Sequence, residues 1–311
     1  MKTFIVLCLS LFAVATATDD THIDYSQVKP LWEIPTWQER HPGLMEIVRA
    51  QKKLPRIQYG PAGRIVGGQY ADRHQFPYQV ALFLHFADGT GFCGGSLLSK
   101  NYVMTAAHCI DGPSHATVAL GAHHIFEDEA TQQRIRSEGS SFRLYPGWDA
   151  SLIRNDLATL RLNEPADYRP GTVHSVRLPT FRDVDATFAG QMGRVSGWGR
   201  FNDSLPDISP TLRFFSAPII THLACAIRFP GIIQPSNICL DGALGGPCQG
   251  DSGGPVSIIE ADGRPTLVGV VSFGLGLGCE LNWPSAHVRA TSFLEWIDDN
   301  TDHEIREHWD D

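Results

Sequence analysis

The rhythm of the chain after residue 64 limits its fold more than any other feature. Short apolar or alternating runs recur between turn residues: Gln79–Phe86, Thr117–Ala122, Leu157–Leu162, Gly193–Gly199, Leu212–Ile220 and Thr266–Gly274. Valine, phenylalanine and threonine suit a pleated sheet, and the glycines and prolines between the runs suit turns. Helical periodicity waits until Ser292–Asp299. The pattern predicts an all-β barrel or sandwich with a terminal helix. With 311 residues, 42% of them hydrophobic, the chain has ample material for a core, as one large domain or two small ones. The charged stretch Asp302–Asp311 reads as a solvated end.

The first residues follow a different logic. Lys2 precedes an apolar run, Phe4–Ala15, that is too short to span a bilayer, and Ala15-Thr16-Ala17 offers small residues for cleavage. Residues 1–17 are therefore expected to be a secretory signal. No later stretch has the ~20 apolar residues of a membrane helix. A secreted, extracellular product with no membrane partner follows. Residues 18–64 hold several prolines, a basic patch at Lys52-Lys53 and no cysteine. They predict a detachable segment with a short helix after Pro42, bearing Leu44, Ile47 and Val48 on one face. The whole chain carries −9, and its first 64 residues have eight basic against six acidic side chains. The remainder is strongly acidic, which argues against nucleic acid as a partner.

Export decides how the cysteines read. Cys8 leaves with the signal, and Cys93, Cys109, Cys225, Cys239, Cys248 and Cys279 form an even set in an oxidising compartment. Disulfides are the expectation, although six cysteines allow about 15 pairings. A structural zinc site is the rival, and the lack of any CxxC pair weighs against it. No metal or other cofactor is expected.

The chemistry centres on Ser252, in Pro247–Pro255 (PCQGDSGGP). A serine hydroxyl is a poor nucleophile until a positioned base takes its proton. Small neighbours help: Gly250 leaves its N–H open to a substrate oxygen, and Gly253 and Gly254 allow a sharp turn. GDSGG also fits the G-x-S-x-G elbow of lipase-type enzymes, but that fold places its partners after the serine on a parallel sheet. Here the better histidine and acid lie upstream, in Thr105–Cys109 (TAAHC) and Asn155–Ala158 (NDLA). Alone, His108 reads as a core residue and Asp156 as a cap.

Taken in order, IVGG (Ile65–Gly68), TAAHC, NDLATL and CQGDSGGP resemble the trypsin/chymotrypsin family of secreted serine proteases, from Ile65 to about Asp299. The most similar pattern is that of invertebrate chymotrypsin-like members. The resemblance implies two antiparallel six-stranded β-barrels with a C-terminal helix, the barrels meeting near residues 170–180. It makes residues 18–64 an activation pro-segment and 65–311 the protease domain. It implies His108 as general base, Asp156 as its orienting carboxylate and Ser252 as nucleophile, with the N–H groups of Gly250 and Ser252 as oxyanion hole. It pairs Cys93 with Cys109, Cys225 with Cys239, and Cys248 with Cys279. No cysteine is then left to tether the pro-segment, so release on cleavage is expected.

The same resemblance makes Arg64-Ile65 the activation bond. A trypsin-like protease cutting there would free the Ile65 amine to pair with Asp251. It assigns Gly246 to the base of the substrate pocket and Gly274 and Ser285 to its walls, with Ser272, Phe273 and Gly274 pairing with the substrate backbone. None of the pocket residues is charged, so cleavage after large apolar or aromatic side chains is expected, by a monomer acting in digestion on protein and peptide substrates. His287 stands at the rim where the family usually has tyrosine, and the directions of Trp283 and Glu280 are open. Invertebrate collagenolytic relatives share the pocket glycine and the SFG segment, which leaves broader, elastase- or collagenase-like cleavage as an alternative. A regulatory protease and a catalytically silent binding homologue are the others. Ala122, where calcium-binding relatives have glutamate, argues against calcium, and Asn202-Asp203-Ser204 is a glycosylation sequon.

Overall fold

The alternating runs become strands. The computed structural model describes residues 21–46, 68–201, 208–243, 245–274 and 283–307. Residues 21–46 contribute β1 (Val28–Lys29), α1 (Pro35–Arg40) and a helical stretch over 42–46. The first large sheet is built from β3 (Gln79–Phe86), β4 (Gly89–Leu97), β5 (Tyr102–Thr105), β6 (His115–Leu120), β7 (Gln133–Glu138), β8 (Phe142–Leu144) and β9 (Ala158–Arg161). Its order is β7-β6-β3-β4-β5-β9-β8, with every neighbour antiparallel. The Asn163 N–H donates to the Arg136 carbonyl at 3.0 Å, which brings the end of β9 back to β7. Six strands thus curl into a barrel, and β8 and β1 are appended.

The second sheet contains β10 (Met192–Gly197), β11 (Arg213–Ile220), β12 (Asn237–Leu240), β13 (Pro255–Ile259), β14 (Pro265–Gly274) and β15 (Ser285–Arg289). Its order is β10-β13-β14-β15-β12-β11, and a direct β10–β11 pairing closes the ring, with β2 (Gln69–Tyr70) on its outside. Strand β3 is buried from Gln79 to Leu84 because β4 and β6 cover both edges and the core fills the interior. That is why its sequence is a continuous apolar run rather than an alternating one.

The chain crosses between barrels at Val176, whose N–H bonds the Leu97 carbonyl, and Arg177, whose carbonyl takes the Leu267 N–H. Buried polar pairs pin the two barrels together: Tyr78 Oη to Ser257 Oγ at 2.9 Å and Ser196 Oγ to Gln79 Oε1 at 2.6 Å. The terminal helix α5 (Leu294–Asn300; α3 and α4 are Ala107–Ile110 and His222–Arg228) buries Leu294 and Ile297.

Two expectations are modified. The tail is not merely solvated: Asp302 takes hydrogen bonds from Ser99 and Asn101, His303 Nδ1 bonds the Leu98 carbonyl, and Arg306 pairs with the buried Glu260. Local charge density suggested solvent, but these partners come from distant strands. Residues 21–46, expected to be a detachable segment, are packed against the rest of the chain. Ile23, Leu31, Ile34 and Trp37 are each at most 5% exposed and belong to the larger hydrophobic core cluster. The helix expected after Pro42 is present through residue 46, while Ile47 and Val48 lie outside the described residues.

Candidate active site

Helix α3 is a single turn that carries His108 at the seam of the two barrels. The His108 Nδ1 lies 2.7 Å from Asp156 Oδ2, and the His108 backbone N–H donates to Asp156 Oδ1 at 2.9 Å. One carboxylate therefore fixes both the ring and the backbone of the histidine. A third bond comes from the Ser272 hydroxyl, which donates to Asp156 Oδ2 at 2.6 Å. Burial pushes the Asp156 carboxyl up, but the charge of His108 and the bonds from His108 and Ser272 outweigh it and hold it below its ordinary value.

Ser272 reaches Asp156 through a bulge. Val271 pairs with His287 and Phe273 with Ala286, so Ser272 is the extra residue of β14. A bulge re-aims a side chain in this way. Sequence reasoning assigned Ser272 only to the substrate backbone. The signal it lacked is register, which no periodicity reveals. Beyond Val270 strand β13 no longer pairs with β14, so one edge of Ser272–Gly274 stays unpaired within the described residues.

Ser252 arrives on the loop between Cys248 and β13. Its carbonyl takes the Gly94 N–H at 2.7 Å. Gly253 has φ +78°, and a Cβ there would strike Thr105 Oγ1 and sit 3.1 Å from the Ala106 nitrogen. Only glycine meets both demands. The loop thus presses against the two residues that lead into His108. The Cys93–Cys109 disulfide ties β4 to α3 from the other side. The structure brings His108, Asp156 and Ser272 into one bonded group with Ser252 on the adjoining loop. The Ser252 hydroxyl makes no hydrogen bond within the described residues, so the expected chain is closed only over its His–Asp half. Such contacts often tighten only when substrate is bound. The N–H groups of Gly250 and Ser252 also donate to no acceptor among the described residues.

Asp251, beside the serine, faces away from it. Its oxygens accept the N–H groups of Gly199 at 2.8 Å and Cys248 at 2.9 Å. Burial pushes its carboxyl up to about 6, against the pull of those two bonds. No cation pairs with it among the described residues. A cavity of about 30 Å³ adjoins it, lined in part by Gly68, Gly197, Gly199 and Arg213. Arg64 and Ile65 lie outside the described residues.

At the expected pocket, a Cβ on Gly246 or Gly274 would meet nothing within 4 Å. Ser285 Oγ lies 2.8 Å from His287 Nε2. His287 is not at a rim: it is fully buried in β15, and burial pushes its imidazole down to about 3, so it is neutral. Trp283 packs edge-on against Phe229 and under Arg228. Glu280 and the sequon at Asn202 fall outside the described residues, as does Cys279. Cys248 is disulfide-bonded, and a second disulfide joins Cys225 to Cys239.

Ligand atoms of Cys93, Cys109 and His108 lie within 4.8 Å of one another. The two sulfurs are bonded to each other and offer no thiolate, so the group does not suit a metal. In the loop after Ala122, Glu129 is held by Arg73 and by the N–H groups of His123 and His124.

The trypsin family model matches residues 65–297. Brachyurin of Leptuca pugilator is 40% identical over 238 residues, covering 76% of this chain and 98% of that protein. Chymotrypsin of Phaedon cochleariae is 32% identical over 298 residues, 96% of this chain and 97% of its own. That match is longer than residues 65–311 could supply, so it extends into the residues before Ile65. A solved structure of HL collagenase superposes with a TM-score of 0.69 at 33% identity, over 78% of this chain and all of that one. Residues at the seam of two β-barrels, a serine loop pressed against the histidine turn and these matches agree: the chain belongs to the trypsin family of serine proteases.

Proposed function

We propose that the protein is a secreted digestive endopeptidase, made as a zymogen and cutting after large apolar or aromatic residues. The buried His108–Asp156–Ser272 group beside the Ser252 loop carries this reading. His108 acts as general base toward the Ser252 hydroxyl, and Asp156 holds the Nδ1 tautomer and stabilises the imidazolium. Ser252 Oγ attacks the peptide carbonyl. The proton passes to His108 Nε2 and then to the leaving amine, and water repeats the cycle on the acyl-enzyme. The N–H groups of Gly250 and Ser252 receive the oxyanion, each worth on the order of 3 kcal/mol at the transition state.

Activation is by a trypsin-like cut at Arg64-Ile65, whose new ammonium pairs with Asp251. Among the described residues the buried Asp251 carboxylate has no cation partner, which supports this, because a lone buried charge favours whichever loop arrangement brings it one. The open space at Gly246 and Gly274 supports an apolar guest, since a Lys or Arg there would lose its hydration with no counter-charge. Broader cleavage is the second reading, and the likeness to brachyurin and to a collagenase favours it. The test is labelling of the cut protein with an organophosphorus serine reagent, lost in Ser252→Ala, followed by a peptide-library cleavage profile. No labelling would remove the protease reading, and preference for Arg or Lys would remove the pocket reading.

A further inference from the structure

Residues 21–46 are docked directly on the histidine turn. The Trp37 indole N–H donates to the carbonyl of His108 itself at 2.7 Å, a buried bond, and the two rings meet edge-on at 6.3 Å. His41 stacks on Trp37 at 4.4 Å and is fully buried. Arg40 and His41 both reach Asp111, which follows α3. Upstream, β1 runs parallel to β4 beside Thr90 and Gly91, on the strand whose Gly94 N–H holds Ser252. A Cβ on Gly91 would strike the Leu31 side chain, so the barrel has a recess that Leu31 fills. Thr36 clamps Asp88 through its N–H at 2.9 Å and its hydroxyl at 2.6 Å. His108 is left 3% exposed.

These contacts all lie upstream of residue 47, well before Arg64. A cut at Arg64-Ile65 breaks none of them and removes only the effective concentration that the tether supplies. No disulfide is needed to retain a segment whose apolar side chains are buried against the sheet. We infer that residues 21–46 are an inhibitor built into the chain, which stays docked over the His108 face after the activation cut and rebinds in trans once excised. This rests on the protease reading above. It replaces release on cleavage with a second, separate step of activation.

The test starts from the full-length protein cut at Arg64-Ile65 and run on a sizing column at pH 8. The excised segment should co-elute with the protease domain. Protein freed of the segment by denaturant and refolding, or by acid, should be inhibited at least tenfold by saturating synthetic peptide 21–46. Trp37→Phe keeps an aromatic ring but loses the bond to the His108 carbonyl and part of the ring's bulk, and should bind at least roughly tenfold more weakly. Ile34→Asp should abolish binding. Peptides carry these two changes, so folding of the protease domain is not at issue. A wild-type segment that elutes free and does not inhibit overturns the inference, as does equal binding by Ile34→Asp. Organophosphorus labelling of the stripped protein separates the two readings. Co-elution without labelling would remove the protease reading alone, and labelling without co-elution the inhibitor alone.

Discussion

Asp156 accepts three hydrogen bonds at 1% exposure, so each donor matters more than it would in water. Ser272 is a positioning residue acting through that carboxylate. Removing a hydrogen bond to a charged group costs about 1.5–3 kcal/mol, part of which should appear in the transition state, where His108 becomes cationic. Ser272→Ala is expected to lower kcat by about tenfold with KM within about twofold. Its bond holds the Asp156 carboxyl down, so the acid limb of the pH–rate profile should move to higher pH. A fall in KM alone would contradict this. At Asp251 the sign is opposite. Burial raises its carboxyl from 3.8 to about 6, so the uncut chain has a stability contribution present below about pH 4 and lost as pH rises through 6. In the cut chain an ammonium partner would restore it. Calorimetry of the cut protein and of uncut Arg64→Gln should show a melting-temperature gap that widens between pH 4 and 7. A constant gap would mean that Asp251 gains no partner.

At the level of elements, strand β14 has two parts: its bulge feeds Ser272 to Asp156, and its end carries Gly274, the proposed pocket wall. Because a Cβ at Gly274 meets open space, Gly274→Val should fold normally and fill the pocket. It is expected to cut kcat/KM on substrates with Phe or Tyr before the scissile bond by ~100-fold, while an alanine substrate changes only a few-fold. Equal losses on both would place the pocket elsewhere. Strands such as β3 and β14 were legible because their apolar runs are long and bounded by turns. Two-residue β1 was not, since its pairing depends on the recess at Gly91 and not on its own sequence. The catalytic motifs were legible because glycine is demanded at fixed places, as at Gly253. The contributions of Ser272 and Trp37 were hidden. One needs a register shift, and the other needs a partner carbonyl 71 positions away.

For the whole molecule, an inhibitor at residues 21–46 would make activity depend on a docking equilibrium, and that equilibrium should respond to pH through His41. Burial pushes its imidazole down to about 4, against the raising influence of its bond to the Trp37 carbonyl and with His108 lowering it further. Asp111 and Asp156 act in the other direction, and Arg40 neutralises part of Asp111. Free His41 regains the ordinary value of about 6.5, so undocking takes up a proton whenever the pH lies between the two values. Docking is therefore tight above pH 7 and weakens as pH falls, by up to on the order of a hundredfold near pH 4.5. The cut protein should retain its segment on a sizing column at pH 8 and shed it at pH 5. His41→Phe keeps the stack on Trp37 without the proton and should hold the segment at both. Equal retention of the wild-type segment at pH 8 and pH 5 would exclude His41 as the release trigger, and release of His41→Phe at pH 5 would assign it to other groups.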